Sequence, residues 1–261
     1  VTDIAALIAQ LGAPIDLLVA HDWGGAVAWN LAALKPELLR RLLIINSPQR
    51  PNGMCVGHLT EIAELCKKHN VMVLTDEIFS HMVYAPSVHK TIAAEEGMAD
   101  RSILVDTFSK TYIMTGFRIG WCVASKEMIT AMDIFQQNSV TNVPAFVQLA
   151  ALAGITGPQE HVVETTARLQ AKRDRMVAAL NAMPGVDCPT PDGSFYVFPD
   201  IRGTGMTAQQ FADYMIEECL VGVVAGSAFG DRGEGHVRIT YAAPDEVIDE
   251  GMARMAKGLA N

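Results

Sequence analysis

Positive charge is scarce and unclustered in this chain, which carries 20 Lys and Arg against 29 Asp and Glu, for a formal net charge of −9. Scattered cations offer no stripe along which a phosphate backbone could lie, so nucleic acid is not expected as a partner. Cysteine is sparse too. Cys55, Cys66, Cys122, Cys188 and Cys219 are odd in number, and their spacing suits neither a disulfide framework nor a zinc site, which points to a reducing, cytoplasmic compartment. The seven histidines match no metal-ligand spacing. No apolar run is long enough to span a bilayer, and Val1 is not followed by a basic region and apolar stretch of signal-peptide type, so no membrane role is expected. Internal repeats and low-complexity linkers are also missing. What remains is 50% hydrophobic and 19% charged, the balance of a chain with a packed core and not of a disordered one. At 261 residues it could form one large domain or two smaller ones.

Strand and helix signals alternate along the chain, which predicts an α/β fold: a mainly parallel sheet with helices on both faces, followed by a smaller C-terminal α+β domain. Ile15 to Ala20 reads as a buried strand, His21 to Gly25 as a sharp turn, Ala26 to Leu34 as a helix and Leu42 to Ile45 as a second strand. After the turn-rich segment Ser47 to Gly53, Leu59, Ile62, Ala63 and Cys66 share one helical face, and Val71 to Leu74 forms a buried strand ending at Asp76. Ile103 to Val105 and Arg118 to Ala124 read as further strands, and Val162 to Leu180 as a long helix. Beyond it, Ser194 to Phe198 alternates as a strand, Ala208 to Glu218 is helical, and His236 to Tyr241 is a strand. The expected division is 1–47, 48–165 and 166–261.

Chemistry-bearing residues gather where two predicted strands end, with Asp76 closing one and Lys110 just beyond the other. In open α/β sheets that carboxyl edge is where ligands bind. The words Thr75-Asp-Glu-Ile-Phe79 and Thr107-Phe-Ser-Lys-Thr-Tyr-Ile-Met-Thr-Gly-Phe-Arg118 resemble the signature of the class I aminotransferases, of fold-type I. The resemblance continues from about Ser47 to the C-terminus, through Gly193-Ser-Phe-Tyr196, Gly226-Ser-Ala-Phe-Gly230 and Val237-Arg-Ile-Thr-Tyr241. It implies a transaminase that uses pyridoxal 5'-phosphate to move an amino group between an amino acid and a 2-oxo acid, assembled as a homodimer. Lys110 would hold the cofactor as a Schiff base, since a lysine amine condenses with an aldehyde and, once displaced by substrate, shuttles a proton between carbon atoms. By the same resemblance Asp76 would keep the pyridine nitrogen protonated. Arg118, with the hydroxyls of Thr107 and Ser109, would bind the cofactor phosphate, a partner suited to a guanidinium fork. Arg238 would grip the substrate's α-carboxylate. Outside such words, a loop lysine is ordinarily a solvated surface residue, Asp76 a turn carboxylate, and either arginine half of a structural ion pair.

Two positions depart from the family pattern. Phe79 stands where the family usually has a tyrosine that donates to the cofactor's phenolic oxygen. Arg50-Pro-Asn-Gly53 stands where the family turn reads Asn-Pro-Thr-Gly, so the asparagine donor to that oxygen is replaced as well. The first 47 or so residues carry a different likeness. Leu18-Val-Ala-His-Asp-Trp-Gly-Gly25 resembles the nucleophile elbow of α/β-hydrolases of the epoxide hydrolase and haloalkane dehalogenase type, with Asp22 as nucleophile and the Trp23 amide in the oxyanion hole. No downstream acid and histidine stand in recognisable settings to complete that site. The chain thus reads as a composite joined near Ile45 to Pro48, in which a hydrolase piece replaces the N-terminal part of an aminotransferase. Three functions stay open: a pyridoxal phosphate transaminase, an aspartate-nucleophile hydrolase, and a folded remnant without catalysis.

Overall fold

The computed structural model describes residues 56–260 without a break, with side chains from Leu59 onward. Before them it describes the strands β1 (Leu18–His21) and β2 (Leu42–Ile45) and the single positions Ala5, Ala6, Ala9 and Glu37. The described chain divides into two units. Among the described residues, the first holds β1, β2, 56–81 and His89–Gln159, and the second holds Met82–Val88 and 160–260.

In the first unit, β1 and β2 pair in parallel, Leu18 opposite Leu42. Helix α1 (Val56–His69) follows because Leu59, Ala63 and Cys66 recur at helical spacing, and all three are buried in one cluster with Ile92 and Met98. Lys67, Lys68 and His69 in its last turn oppose the dipole's negative end. Asn70 then adopts a left-handed φ of 53°, while Val71 N–H reaches back to the Cys66 carbonyl at 2.9 Å. Strand β3 (Val73–Asp76) pairs in parallel with β4 (Ser102–Thr107), and β5 (Gly120–Val123) adds to β4 in the antiparallel sense. The strand expected over Arg118–Ala124 is thus shorter. Arg118 lies ahead of it, ending a 3-10 turn (Thr115–Phe117) at φ 51°, a conformation that leaves the extended region.

Between β4 and β5 runs the one-turn helix α2 (Phe108–Thr111). After β5 come α3 (Lys126–Ser139), started by the Ser125 hydroxyl accepting from Met128 N–H, and α4 (Ala145–Thr156). Neither was expected from the sequence. In α4 apolar residues lie all round the helix, which erases the stripe that marks an amphipathic helix. Val147 and Ala151 are buried, while Phe146 is 71% and Leu149 65% exposed.

The second unit opens with α5 (Glu160–Asn181), whose Leu169, Arg173, Met176, Val177 and Leu180 form the buried stripe. Strand β6 (Tyr196–Val197), helix α6 (Ala208–Glu217), β7 (Val224–Ala225), β8 (Val237–Thr240) and α7 (Asp245–Leu259) follow. A capping box starts α6: Thr207 accepts from Gln210 N–H, and Gln210 reaches back to Thr207 N–H. β8 lies between β6 and β7 in an antiparallel sheet, which gives this unit its α+β character. Arg175 of α5 bridges Asp249 of α7 at 2.8 Å.

Candidate functional site

β3 and β4 run parallel with Asp76 opposite Val105, so both leave the sheet at the same edge. Each ends in a turn that its own side chains shape. Asp76 Oδ1 accepts from Ile78 N–H at 3.2 Å, bending the chain just past β3. At the end of β4 the Thr107 hydroxyl accepts from Ser109 N–H at 2.8 Å, which caps α2 and presents Lys110 one turn further on. Arg118 is exposed, and its Nη1 donates to the Thr115 carbonyl at 2.9 Å. A cavity of about 860 Å³ opens at this edge, and Asp76, Thr107, Ser109, Lys110 and Arg118 all line it. Five residues named from the sequence for one cofactor therefore share one cavity within the first unit. Gly120 also lines it, and a Cβ there would stand 2.7 Å from the Asp106 carbonyl, so only glycine lets β5 close against β4 at this point.

Four neighbours were not singled out in the sequence. Asp106, 5% exposed, lines the cavity; its Oδ1 accepts from Thr107 N–H at 2.6 Å and its Oδ2 from the Ser80 hydroxyl at 3.0 Å. Glu77, also buried, takes the Thr75 hydroxyl at 3.2 Å and His89 Nε2 at 2.7 Å. The hydrogen bond to the Glu77 carboxylate raises the His89 pKa above its ordinary value, against the opposing effect of partial burial. Glu77 directly follows Asp76 in the sequence, but its partner stands 12 residues on, and the Ser80–Asp106 pair is separated by 26.

In the second unit Arg238 sits on β8, its guanidinium carbon 4.6 Å from the Tyr196 ring centre and 4.4 Å from that of Phe229. Such contacts hold a cation by roughly 0.5 to 1 kcal/mol each at partly exposed sites. No carboxylate pairs with Arg238 among the described residues, whereas Arg173, Arg202 and Arg254 each have one and Arg175 has two. Both flanking rings are set by their loops. Ser194, at φ 66°, offers its carbonyl to the hydroxyls of the buried Tyr84 and Tyr241, which fixes the entry to β6 and Tyr196. Gly226, which opens the 3-10 turn ending at Phe229, packs so tightly that a Cβ would come within 2.2 Å of the Gly233 carbonyl.

Phe79 is half-buried in the turn after Asp76, and the cavity is lined there by Ile78, not by Phe79. Arg50-Pro-Asn-Gly53 and the elbow residues Asp22 and Trp23 lie outside the described residues.

The cavity lining includes the Lys110 amine, the carboxylates of Asp76 and Asp106, the Arg118 guanidinium and the hydroxyls of Thr107, Ser109 and Thr115. It suits a ligand with a carbonyl to condense, a basic nitrogen to protonate and a phosphate to hold. Comparison with known proteins agrees with that chemistry. The sequence profile of the family "Aminotransferase class I and II" matches residues 17–255. An aspartate aminotransferase of Pyrococcus abyssi is 40% identical over 260 residues, covering 97% of this chain and 66% of that protein. The aromatic-amino-acid aminotransferase 2 of Thermococcus litoralis is 39% identical over 223 residues, covering 84% of this chain and 57% of its own length. Among solved structures, the aromatic aminotransferase from Pyrococcus horikoshii superposes with a TM-score of 0.82 at 37% identity, over 88% of this chain and 62% of that one. The chain thus spans about two-thirds or less of the length of these relatives. With a profile match across most of its length and a cavity that gathers the residues of the signature words, the chain belongs to the class I and II aminotransferases.

Proposed function

We propose that the chain carries the cofactor half of a pyridoxal 5'-phosphate transaminase that moves an amino group between an amino acid and a 2-oxo acid. The observation that carries this reading is the shared cavity of Lys110, Asp76, Thr107, Ser109 and Arg118. When bound, the cofactor supplies an aldehyde for attachment and an electron-accepting ring. Lys110 is the attachment point, and its freed amine carries the proton between the substrate's α-carbon and the cofactor. Asp76 holds a proton on the ring nitrogen, the charge state in which the ring accepts electrons best. Arg118 and the Thr107 and Ser109 hydroxyls bind the phosphate. Phe79, half-buried in the turn after Asp76, offers no hydroxyl to the phenolic oxygen.

Arg238 is proposed as the anchor of the substrate α-carboxylate, a reading favoured by its lack of a carboxylate partner among the described residues. Flanked by Tyr196 and Phe229, its guanidinium has restricted freedom and stays available for a planar, bidentate anion. A homodimer belongs to the same proposal. In α4, Phe146, Leu149, Leu152 and Ile155 are all more than half exposed, and so are Ile134 and Phe135 of α3, large apolar side chains of the kind that proteins usually cover. The cytoplasmic location expected from cysteine usage completes it: Cys66, Cys122, Cys188 and Cys219 are all unpaired, and burial pushes the Cys66 thiol up to about 11. No helix among the described residues is long and apolar enough to cross a membrane.

The test is a titration of the purified chain with pyridoxal 5'-phosphate. A visible absorption band should form, bleach on addition of L-aspartate or L-phenylalanine, and return with 2-oxoglutarate. A chain that develops no band, or a band indifferent to amino acids, contradicts the reading.

A further inference from the structure

We propose that Ser80 and Asp106 are positioning residues that bracket the two loops of the cavity, fixing the turn after Asp76 against the strand end that leads to Lys110. The inference rests on the cofactor reading above. Its geometry is independent of that reading, because the bracket is a hydrogen bond across loops. The Ser80 hydroxyl donates to Asp106 Oδ2 at 3.0 Å, and Asp106 Oδ1 takes the Thr107 N–H at 2.6 Å. One buried carboxylate therefore touches both loops at once. Ser80 is four residues after Asp76, in a turn closed by its own N–H to the Glu77 carbonyl at 2.8 Å. Asp106 is four residues before Lys110 and adjoins Thr107, whose hydroxyl caps the Lys110 helix.

A carboxylate this buried is costly unless its oxygens are satisfied, and Asp106 has a donor on each. The packing of the sheet does not require a charge at that position, since β4 is already held on both sides by β3 and β5. A polar pin is what the position provides. A second polar contact strengthens the same turn: Glu77 N–H donates to the Val105 carbonyl at 2.8 Å, while its side chain is taken by Thr75 and His89. Without the Ser80 hydroxyl the turn keeps its backbone bonds at Glu77 and Ser80 but loses the side-chain link that ties it to Asp106. Cofactor binding must then order that turn, and ordering one or two side chains weakens affinity by about three- to tenfold.

The experiment compares pyridoxal 5'-phosphate affinity, the pH titration of the bound cofactor's absorption, and thermal unfolding without cofactor in the unsubstituted protein, Ser80→Ala, Ser80→Thr, Asp106→Asn and the double variant Ser80→Ala/Asp106→Asn. Ser80→Ala should weaken cofactor affinity by about three- to tenfold and shift the absorption titration, with little change in unfolding of the cofactor-free chain. Ser80→Thr, which keeps the hydroxyl, should restore both. The double variant should be no worse than Asp106→Asn alone, because Ser80, which also contacts His81 Nδ1 at 2.9 Å, bears on the cavity through its bond to Asp106. Affinity and titration unchanged in Ser80→Ala would overturn the bracket, as would an affinity loss matched by an equal loss in cofactor-free stability, or additive effects in the double variant. If the unsubstituted protein itself takes up no cofactor, the cofactor reading fails and the bracket with it, an outcome distinct from normal uptake with a silent Ser80→Ala.

Discussion

Replacing Arg118 and Arg238 separately should damage two different binding events. Arg118 is exposed and lines the cavity, and one of its guanidinium nitrogens is already engaged by the Thr115 carbonyl. A charge-assisted contact to phosphate contributes about 1.5 to 3 kcal/mol, and solvent exposure puts Arg118 at the lower end, so Arg118→Ala should weaken cofactor binding by roughly tenfold. Its left-handed backbone, at φ 51°, does not confuse the outcome, because alanine carries the same Cβ cost there as arginine and folding stability should barely move. Arg238→Ala should leave the cofactor titration within about twofold of the unsubstituted protein and raise the amino-acid concentration needed to bleach the band by about 100-fold or more, the loss of two charge-assisted bonds. The assay is a cofactor titration followed by an amino-acid titration on each variant, with unfolding curves as the control. Equal losses in both titrations for both variants would mean that the arginines support folding and would refute the assignment of roles.

Three further outcomes follow from the same structure. Phe79→Tyr should lower the pKa read from the bound cofactor's absorption, since a phenol hydrogen bond favours the ionised cofactor oxygen; superimposable titrations would place Phe79 outside the site. Glu77 raises the pKa of His89, so the pair stabilises the fold fully below the unfolded value of about 6.5 and loses that contribution as pH rises through the raised folded value. His89→Gln should therefore flatten the dependence of the unfolding midpoint across that window, and an unchanged slope would deny the pair its role. Leu149→Asp on the exposed face of α4 should shift the sedimentation of a homodimer toward the monomer, whereas unchanged sedimentation would remove that face from the interface.

The residues that the sequence made legible are those whose roles follow from local order. Asp76 and Lys110 were placed because one strand ends at Asp76 and another shortly before Lys110, and Thr107, Ser109 and Arg118 lie within a dozen residues of Lys110 in one recognisable word. Arg238 was visible through its own word on β8. Ser80 and Asp106 were not, because their pairing depends on the register of β3 against β4, which no local pattern encodes. His89 and Glu77 were hidden for the same reason across a shorter loop. Helix α4 was missed because apolar side chains on all its faces leave no period of 3.6 to read. Helix α7, in contrast, carries a local signal: Pro244 precedes its first turn, and Asp245 and Glu246 within that turn are the charges that a helix dipole favours there.

The central claim is that Lys110 holds the cofactor, and covalent trapping tests it most directly. The chain is incubated with pyridoxal 5'-phosphate, reduced with borohydride, digested and mapped by mass spectrometry. The account predicts one dominant modified peptide, carrying the label on Lys110 and lost in Lys110→Ala. Label spread evenly over Lys67, Lys68, Lys90, Lys126 and other surface lysines, with no excess on Lys110, would contradict it.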